Sequence, residues 1–338
     1  MIQFFGIRLP MSTLPVADPS LTADSRSDCG PAHSAHGSTE MPAGTSVDAR
    51  LRREFVGAIG ITADLFTRFV ADHELDMSLA WQVVNQHRRH LQEDFSSAVS
   101  LAVQPLYDGY PVRHSVQSSL LSMAMGVDAE FSDEELATIG LGSLVHDAGM
   151  LLVPARLLGI EPMTERDRRD LMRHPLHAAV ALDNHPGVSP SARCVAAQIH
   201  ERLDGSGYPH GLKGSSIDRL ARYAAVADTF LGMIAPRPHR AAHEPYRAVE
   251  EILFAAHRGR FDAAAVRTLL RVVSLYPVGS CVWLNDGRVG RVIRSNPEAV
   301  DRPVIVAMDL EHDPPDLRTV NLAQRPELSV VRVGELST

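Results

Sequence analysis

The chain has 338 residues and 45% hydrophobic content, enough to pack a core as one large domain or two to three smaller ones. Its net charge of −8 argues against a broad nucleic-acid surface, although a small anion can still be met by local cations. Three widely spaced cysteines (Cys29, Cys194, Cys281) form no disulfide framework or zinc motif, and no apolar run approaches the ~20 residues that cross a bilayer, so a reducing cytoplasm is the expected location.

The start, Met1 to Ile7, is too short and too poor in basic residues for a signal peptide. Residues 10–46 are rich in Ser, Thr, Ala, Gly, Pro and Asp and nearly lack large apolar groups. Such a stretch cannot offset its ordering entropy, so residues 1–46 are predicted as a disordered tail, with His33 and His36 solvated. From about residue 47 the period is helical. Leu51, Phe55 and Ile59 recur four apart, and Leu65, Phe66, Phe69 and Val70 resume the pattern after Thr62 interrupts it. Trp81, Val84, His87 and Leu91 mark another helix, and residues 47–105 form a set of N-terminal helices with core faces.

Ser132-Asp133-Glu134-Glu135 is a capping box. The helix it opens carries Leu136, Ile139, Leu144 and Val145 and is predicted to end at Gly149 as a C′ residue, which puts His146 and Asp147 in its last turn. Thr164 to Asp167 is a second helix start, and Pro175 suits the first turn of a third, with His174 at its entry. Ser191 or a neighbour caps a fourth helix, with Val195 and Ile199 on its apolar side and His200 near its end. A long apolar helix from Ile217 to about Ala235 carries Asp228 in its middle. After Tyr276-Pro277 the period becomes two: Val282 and Leu284 alternate with Cys281 and Trp283, Asn285-Asp286-Gly287 is a hairpin turn, and 289–293, 304–308 and 328–333 read as further strands. Residues 277–338 are therefore predicted as a small β-barrel-like module, and no internal repeat is evident.

A His-Asp dipeptide alone carries little. His312-Asp313 precedes Pro314-Pro315 in a β-rich turn and reads as surface. His146-Asp147 differs by its company: His114, His174, His200 and Asp228 each follow, open or lie within an apolar helix. A buried carboxylate such as Asp228, in Ala224-Ala225-Val226-Ala227-Asp228, is costly without a cation or donors. Imidazoles and carboxylates brought from several helices to one cavity suit a pair of metal ions, which acidify a water and clamp phosphate oxygens. The plainer readings stand beside this one, a capped or salt-bridged Asp228 and ordinary helix-entry histidines at His114 and His174.

Together, His146-Asp147, His174-Pro175, His200-Glu201, Asp204-Gly205-Ser206-Gly207-Tyr208-Pro209, Gly211-Leu212-Lys213-Gly214, Asp228 and His114 after Tyr110 resemble the HD-GYP family, a branch of the HD metal-dependent phosphohydrolases, over about residues 100–275. The tail from Tyr276-Pro277-Val278-Gly279-Ser280 resembles the β-module that trails many members. The resemblance implies a mainly α fold, an HD-type helical bundle at 106–276 followed by the β-module. It implies hydrolysis of cyclic di-GMP by a metal-bound hydroxide at a di-metal His/Asp site, in bacterial second-messenger signalling. The implied cofactors are two divalent ions, iron or manganese, with His146 and Asp147 at the catalytic centre. Asp147 bridges the ions, His114, His146 and Asp228 hold one, and His174 and His200 hold the other. Gly205 and Gly207 let the loop turn sharply, and Tyr208 and Pro209 shape the substrate rim. Arg237 and Arg240, in Arg237-Pro238-His239-Arg240, offer forked donors to phosphate, with a solvated or ion-paired role equally open. The implied partners are a cyclic dinucleotide and a diguanylate cyclase or other signalling protein, with no nucleic-acid polymer, no membrane and room for a homodimer.

Three positions depart from the family pattern. Ile199 replaces the first His of His-His-Glu, so the second ion loses an imidazole; Met150 replaces a Lys that would help neutralise phosphate. Tyr110 stands where trinuclear members carry Glu, so a third metal is not expected. The alternative function is a catalytically weak or inactive module acting as a nucleotide-responsive or protein-docking regulator, and a third is an HD hydrolase of another nucleotide.

Overall fold

The computed structural model describes residues 2–4, 7–9, 49–104, 109–154, 164–183, 185, 188–235, 242–296, 298–309 and 316–334. The chain divides into two compact units, Met1–Ser46 and Val47–Thr338. In the first, β1 (Ile2–Phe4) pairs antiparallel with β2 (Ile7–Leu9), a hairpin the composition did not suggest. The remainder of the predicted tail, with His33 and His36, lies outside the described residues.

The second unit is mainly helical. Helix α1 (Ala49–Asp72) runs unbroken through Thr62, whose buried hydroxyl donates to the carbonyl of Ala58 at 2.8 Å, so the lapse in the apolar pattern is satisfied within the helix. Helices α2 (Met77–Glu93) and α3 (Phe95–Ala102) follow, capped by Asp76 and Asp94. Helix α4 (Val112–Asp128) is buried at every position from His114 to Gly126 and is the axis of the bundle. It packs on α5 (Asp133–Val145), which opens with the predicted capping box at Ser132 and Glu135.

Helix α5 ends earlier than predicted. His146 is its C-cap, and Asp147 leads into a 3₁₀ turn, Ala148–Leu152. Gly149 lies inside that turn and is not a left-handed C′ residue. Its bareness serves close approach instead: a Cβ there would meet the carbonyl oxygen of His174 at 2.1 Å.

Helix α6 (Glu165–Leu171) is capped by Thr164, and α7 begins at His174 (His174–Asp183). The cap of α8 (Pro190–Gln198) is Ser189, the neighbour of Ser191, with Pro190 in the first turn. Helix α9 (Arg219–Ile234) is capped by Asp218 and packs against α4, α5 and α8. Two further helices, α10 (Pro245–His257) and α11 (Ala263–Val273), complete the bundle.

The chain then forms one antiparallel sheet in the order β6-β5-β4-β3-β7, from β3 (Cys281–Leu284), β4 (Val289–Arg294), β5 (Val304–Asp309), β6 (Asp316–Asn321) and β7 (Val330–Val333). The Asn285–Gly287 turn joins β3 to β4, with Gly287 at φ 91°. The module expected to be barrel-like is thus a five-stranded sheet whose ladder order leaves β6 and β7 as its edges. His312-Asp313 lies outside the described residues. Among the described residues no helix is long and apolar enough to cross a membrane.

Candidate metal centre

Five helices converge on one hollow. His114 comes from the first turn of α4, His146 and Asp147 from the end of α5, His174 from the start of α7, His200 from just beyond α8, and Asp228 from the middle of α9. Five of the six are buried, and His200 keeps 11% of its side chain exposed. Every metal-ligand candidate from the sequence is therefore in the same place. Ligand atoms of His114, His146 and Asp228 all lie within 4.8 Å of one another, as do those of His146, Asp147 and His200. His114 Nε2 is 2.8 Å, and His146 Nε2 3.4 Å, from Asp228 Oδ1. Asp147 Oδ1 faces three imidazoles: His174 Nε2 at 3.0 Å, His146 Nε2 at 3.4 Å and His200 Nε2 at 4.0 Å.

The backbone fixes which nitrogens point inward. A neutral imidazole carries one N–H. His146 Nδ1 donates to the carbonyl of Ser143 at 2.7 Å and His174 Nδ1 to that of Leu171 at 2.8 Å, so each turns a bare Nε2 into the hollow. His200 Nδ1 lies 3.2 Å from Asp228 Oδ2, which leaves its Nε2 facing His174 Nε2 at 3.2 Å. Lone pair thus meets lone pair, and both meet the carboxylate of Asp147. His146 Nε2 and Asp147 Oδ1 are fully buried and have no hydrogen-bond partner. Such an arrangement is repulsive unless a cation lies among the donors, so a divalent metal fits the residues present.

The electrostatics agree. Burial opposes a charge on His146, yet the Asp147 and Asp228 carboxylates outweigh it and raise its pKa to about 9. Burial likewise works against ionised Asp147 and Asp228, but the surrounding imidazoles hold both carboxyls well below the ordinary range. Burial pushes His200 down to about 4, against the pull of Asp228. The carboxylates thus draw positive charge to His146, while burial leaves His200 uncharged.

The loop after His200 is pinned from beneath by Glu201, for which the sequence suggested no role beyond its place in the motif. Its side chain is fully buried; one carboxylate oxygen accepts from the backbone N–H of His210 at 2.7 Å and the other from that of Leu212 at 3.0 Å. With Arg202 beside it, nothing in the sequence sets this carboxylate apart from an ordinary ion-paired surface group. Gly207 passes so close that a Cβ would lie 2.4 Å from the Glu201 Cα, whereas Gly205 takes a left-handed φ of 84°. This places Tyr208 over His200, rings stacked at 4.8 Å, with Pro209 following it on the rim. Arg237 and Arg240 lie outside the described residues.

Ile199 is fully buried at the C-cap of α8, and Met150 packs with Val153 and Leu171. Both are apolar side chains buried from solvent. Tyr110 is 51% exposed, its ring 5.8 Å from that of His114.

The bundle gathers a His-Asp pair with further imidazoles and a distant Asp, and the family described as "HD domain" matches residues 101–265. A cyclic di-GMP phosphodiesterase of Pseudomonas aeruginosa is 29% identical over 273 residues, covering 78% of this chain and 65% of that protein. The cyclic di-GMP phosphodiesterase response regulator RpfG of Xanthomonas campestris pv. campestris is 35% identical over 158 residues, 45% of this chain and 41% of that one. A 3'3'-cGAMP-specific phosphodiesterase of Vibrio cholerae is 29% identical over 164 residues, 48% and 38% of the two chains. The chain therefore spans just under two thirds of the first of these relatives and less than half of the other two. The solved structure of an HDG"Y"P protein from Bdellovibrio bacteriovorus superposes with a TM-score of 0.55 at 18% identity, over 68% of this chain and 73% of that one, a likeness of fold. With its Asp-Gly-Ser-Gly-Tyr-Pro loop beside the hollow, the chain is similar to the HD-GYP proteins among these relatives.

Proposed function

We propose that this chain is a metal-dependent phosphodiesterase that hydrolyses cyclic di-GMP in bacterial second-messenger signalling. The observation that carries the reading is the buried cluster of inward lone pairs around Asp147 Oδ1, which asks for cations where a phosphate would bind. The activities named for the similar proteins of Pseudomonas and Xanthomonas support cyclic di-GMP as the substrate. The HD-GYP domain is assigned to residues 106–276, preceded by N-terminal helices at 47–105 and followed by the β-module at 277–338.

His114, His146 and Asp228 are assigned to one ion, His174 and His200 to a second, and Asp147 to the bridge between them. Nitrogen and oxygen donors together suit iron or manganese. Bound ions supply charge relief for the phosphodiester and acidify the water that attacks it. The protein supplies orientation. The Ser143 and Leu171 carbonyls lock His146 and His174 in the tautomer whose Nε2 faces the hollow. Burial keeps His200 neutral, and the pinned loop holds Tyr208 at the rim. The hydrolysis breaks one P–O ester bond and adds the elements of water across it. Arg237 and Arg240 are proposed phosphate donors, and a diguanylate cyclase is the partner class that the substrate implies.

A second reading, a nucleotide-responsive or protein-docking regulator with little turnover, is favoured by one observation: Ile199 and Met150 bring no donor and no cation to the second position. Metal analysis of anaerobically purified protein, paired with a cyclic di-GMP turnover assay under reducing, iron-replete conditions, separates the two. About two iron or manganese per chain, with one lost on His174→Ala, supports the enzyme. One ion or none, with no turnover, refutes it in favour of the regulator.

A further inference from the structure

The rings of the metal centre form one connected set, in which His174 touches both His200 and Tyr208. Successive ring centroids are 5.8 Å apart from Tyr110 to His114, 5.8 Å from His114 to His146, 5.5 Å from His146 to His200 and 4.8 Å from His200 to Tyr208. Tyr110 lies beyond His114, and Tyr208 lies against His200 and His174. The two are not equivalent. Tyr208 lies nearly flat on His200, at 27° between planes, so one of its faces is already used. Tyr110 is tilted at 47° to His114 and is 51% exposed. Among the described residues it is the one aromatic side chain in the set of exposed large hydrophobics, the others being Val and Leu.

The ligand atoms, all imidazole nitrogens and carboxylate oxygens, lie within 4.8 Å of one another in each group, so no purine fits among them. The bases of a bound cyclic dinucleotide must lie outside them, against the rim. A base outside a metal site is held best by an aromatic face, which tolerates any base and gains by excluding water. We propose that Tyr110 is a stacking platform for one purine of the cyclic dinucleotide, a role that rests on the phosphodiesterase reading. The position thus trades a carboxylate, which would have drawn a further metal ion, for a π-face that draws the substrate.

The test uses the full-length protein and cyclic di-GMP. Binding is measured by calorimetry on metal-loaded protein with a hydrolysis-resistant phosphorothioate analogue of cyclic di-GMP, and KM and kcat with cyclic di-GMP on the same protein. Tyr110→Ala is expected to raise both Kd and KM roughly 5- to 150-fold, the worth of one stacked base, with kcat nearly unchanged. Tyr110→Phe, which keeps the ring and drops the hydroxyl, is expected to restore the wild-type Kd. Equal Kd and KM in wild type and Tyr110→Ala would overturn the proposal while leaving the phosphodiesterase intact. So would a Tyr110→Phe as weak as Tyr110→Ala, which would assign the effect to the hydroxyl. A wild-type protein that neither binds nor cleaves cyclic di-GMP would overturn the proposed function and the stacking role with it.

Discussion

Removing the carboxylate of Glu201 should unpin the loop that carries Tyr208. Glu201 satisfies the N–H of His210 and the N–H of Leu212 at once, at 2.7 and 3.0 Å, from a side chain with no exposure. Around it, Leu203 N–H reaches the Arg260 carbonyl, Gly214 N–H the Leu203 carbonyl and Tyr208 N–H the His200 carbonyl, and the Asp204 carboxylate accepts from Ser206 N–H, so the Glu201 carboxylate ties the far side of a largely backbone mesh. An amide stripped of its acceptor costs about 1–3 kcal/mol, less where water can reach it. His210 is exposed and Leu212 half-buried, which puts the sum for Glu201→Ala at about 2–4 kcal/mol. Glu201→Gln keeps one acceptor and turns an NH₂ against the other amide, for roughly half that loss. In a unit of this size the alanine variant should melt several degrees lower, at about 2 °C per kcal/mol. Urea unfolding with linear extrapolation measures the stability, and KM for cyclic di-GMP should rise in parallel as Tyr208 loses its register over His200. Wild-type midpoints in both variants would refute the idea that this carboxylate holds the loop.

Gly149→Ala should cost more than about 2 kcal/mol, because the new methyl meets the His174 carbonyl at 2.1 Å, and it should lower metal content by moving α7 away from Asp147. Melting curves and metal analysis check both effects. Ile199→His should raise metal content or turnover, and no gain in either from a folded variant would place this side chain away from the ions. His87, buried against Ser119, has its pKa pulled from 6.5 to about 3, mainly by burial and further by His90. Its stabilising neutral form is fully favoured above about pH 6.5. Below that the unfolded chain takes up the proton first, so stability drains by up to roughly 1.4 kcal/mol per pH unit until about pH 3. Urea midpoints across this window should flatten in His87→Gln.

The residues that gather in the hollow were easier to read from the sequence than the element boundaries. The six ligand candidates were readable because each adjoined an apolar helical run, and an Asp within Ala-Ala-Val-Ala is costly to bury unless something cationic meets it. The capping box at Ser132 and the cap at Thr164 were local signals and lie where they read. What escaped depended on distant atoms. Gly149 read as a helix end, but its bareness answers to a carbonyl 25 residues away. Strand β6 (Asp-Leu-Arg-Thr-Val-Asn) was missed because it is an edge: Leu317, Arg318 and Thr319 are all exposed, so no alternation of apolar with polar marks it. Glu201 stood in plain sight beside His200, yet only the folded loop shows which amides it holds.

The donor set of the hollow has a consequence beyond chemistry. It is drawn from five helices, and the segments that supply it run from His114 to Asp228. Two ions seated there, sharing Asp147, would together fasten all five to one another, as a rivet does, and their binding energy would be added to that of folding. A cell starved of the metal would accumulate a looser chain, more open to proteases, so nutrient supply would set how much of this protein survives as well as how fast it works.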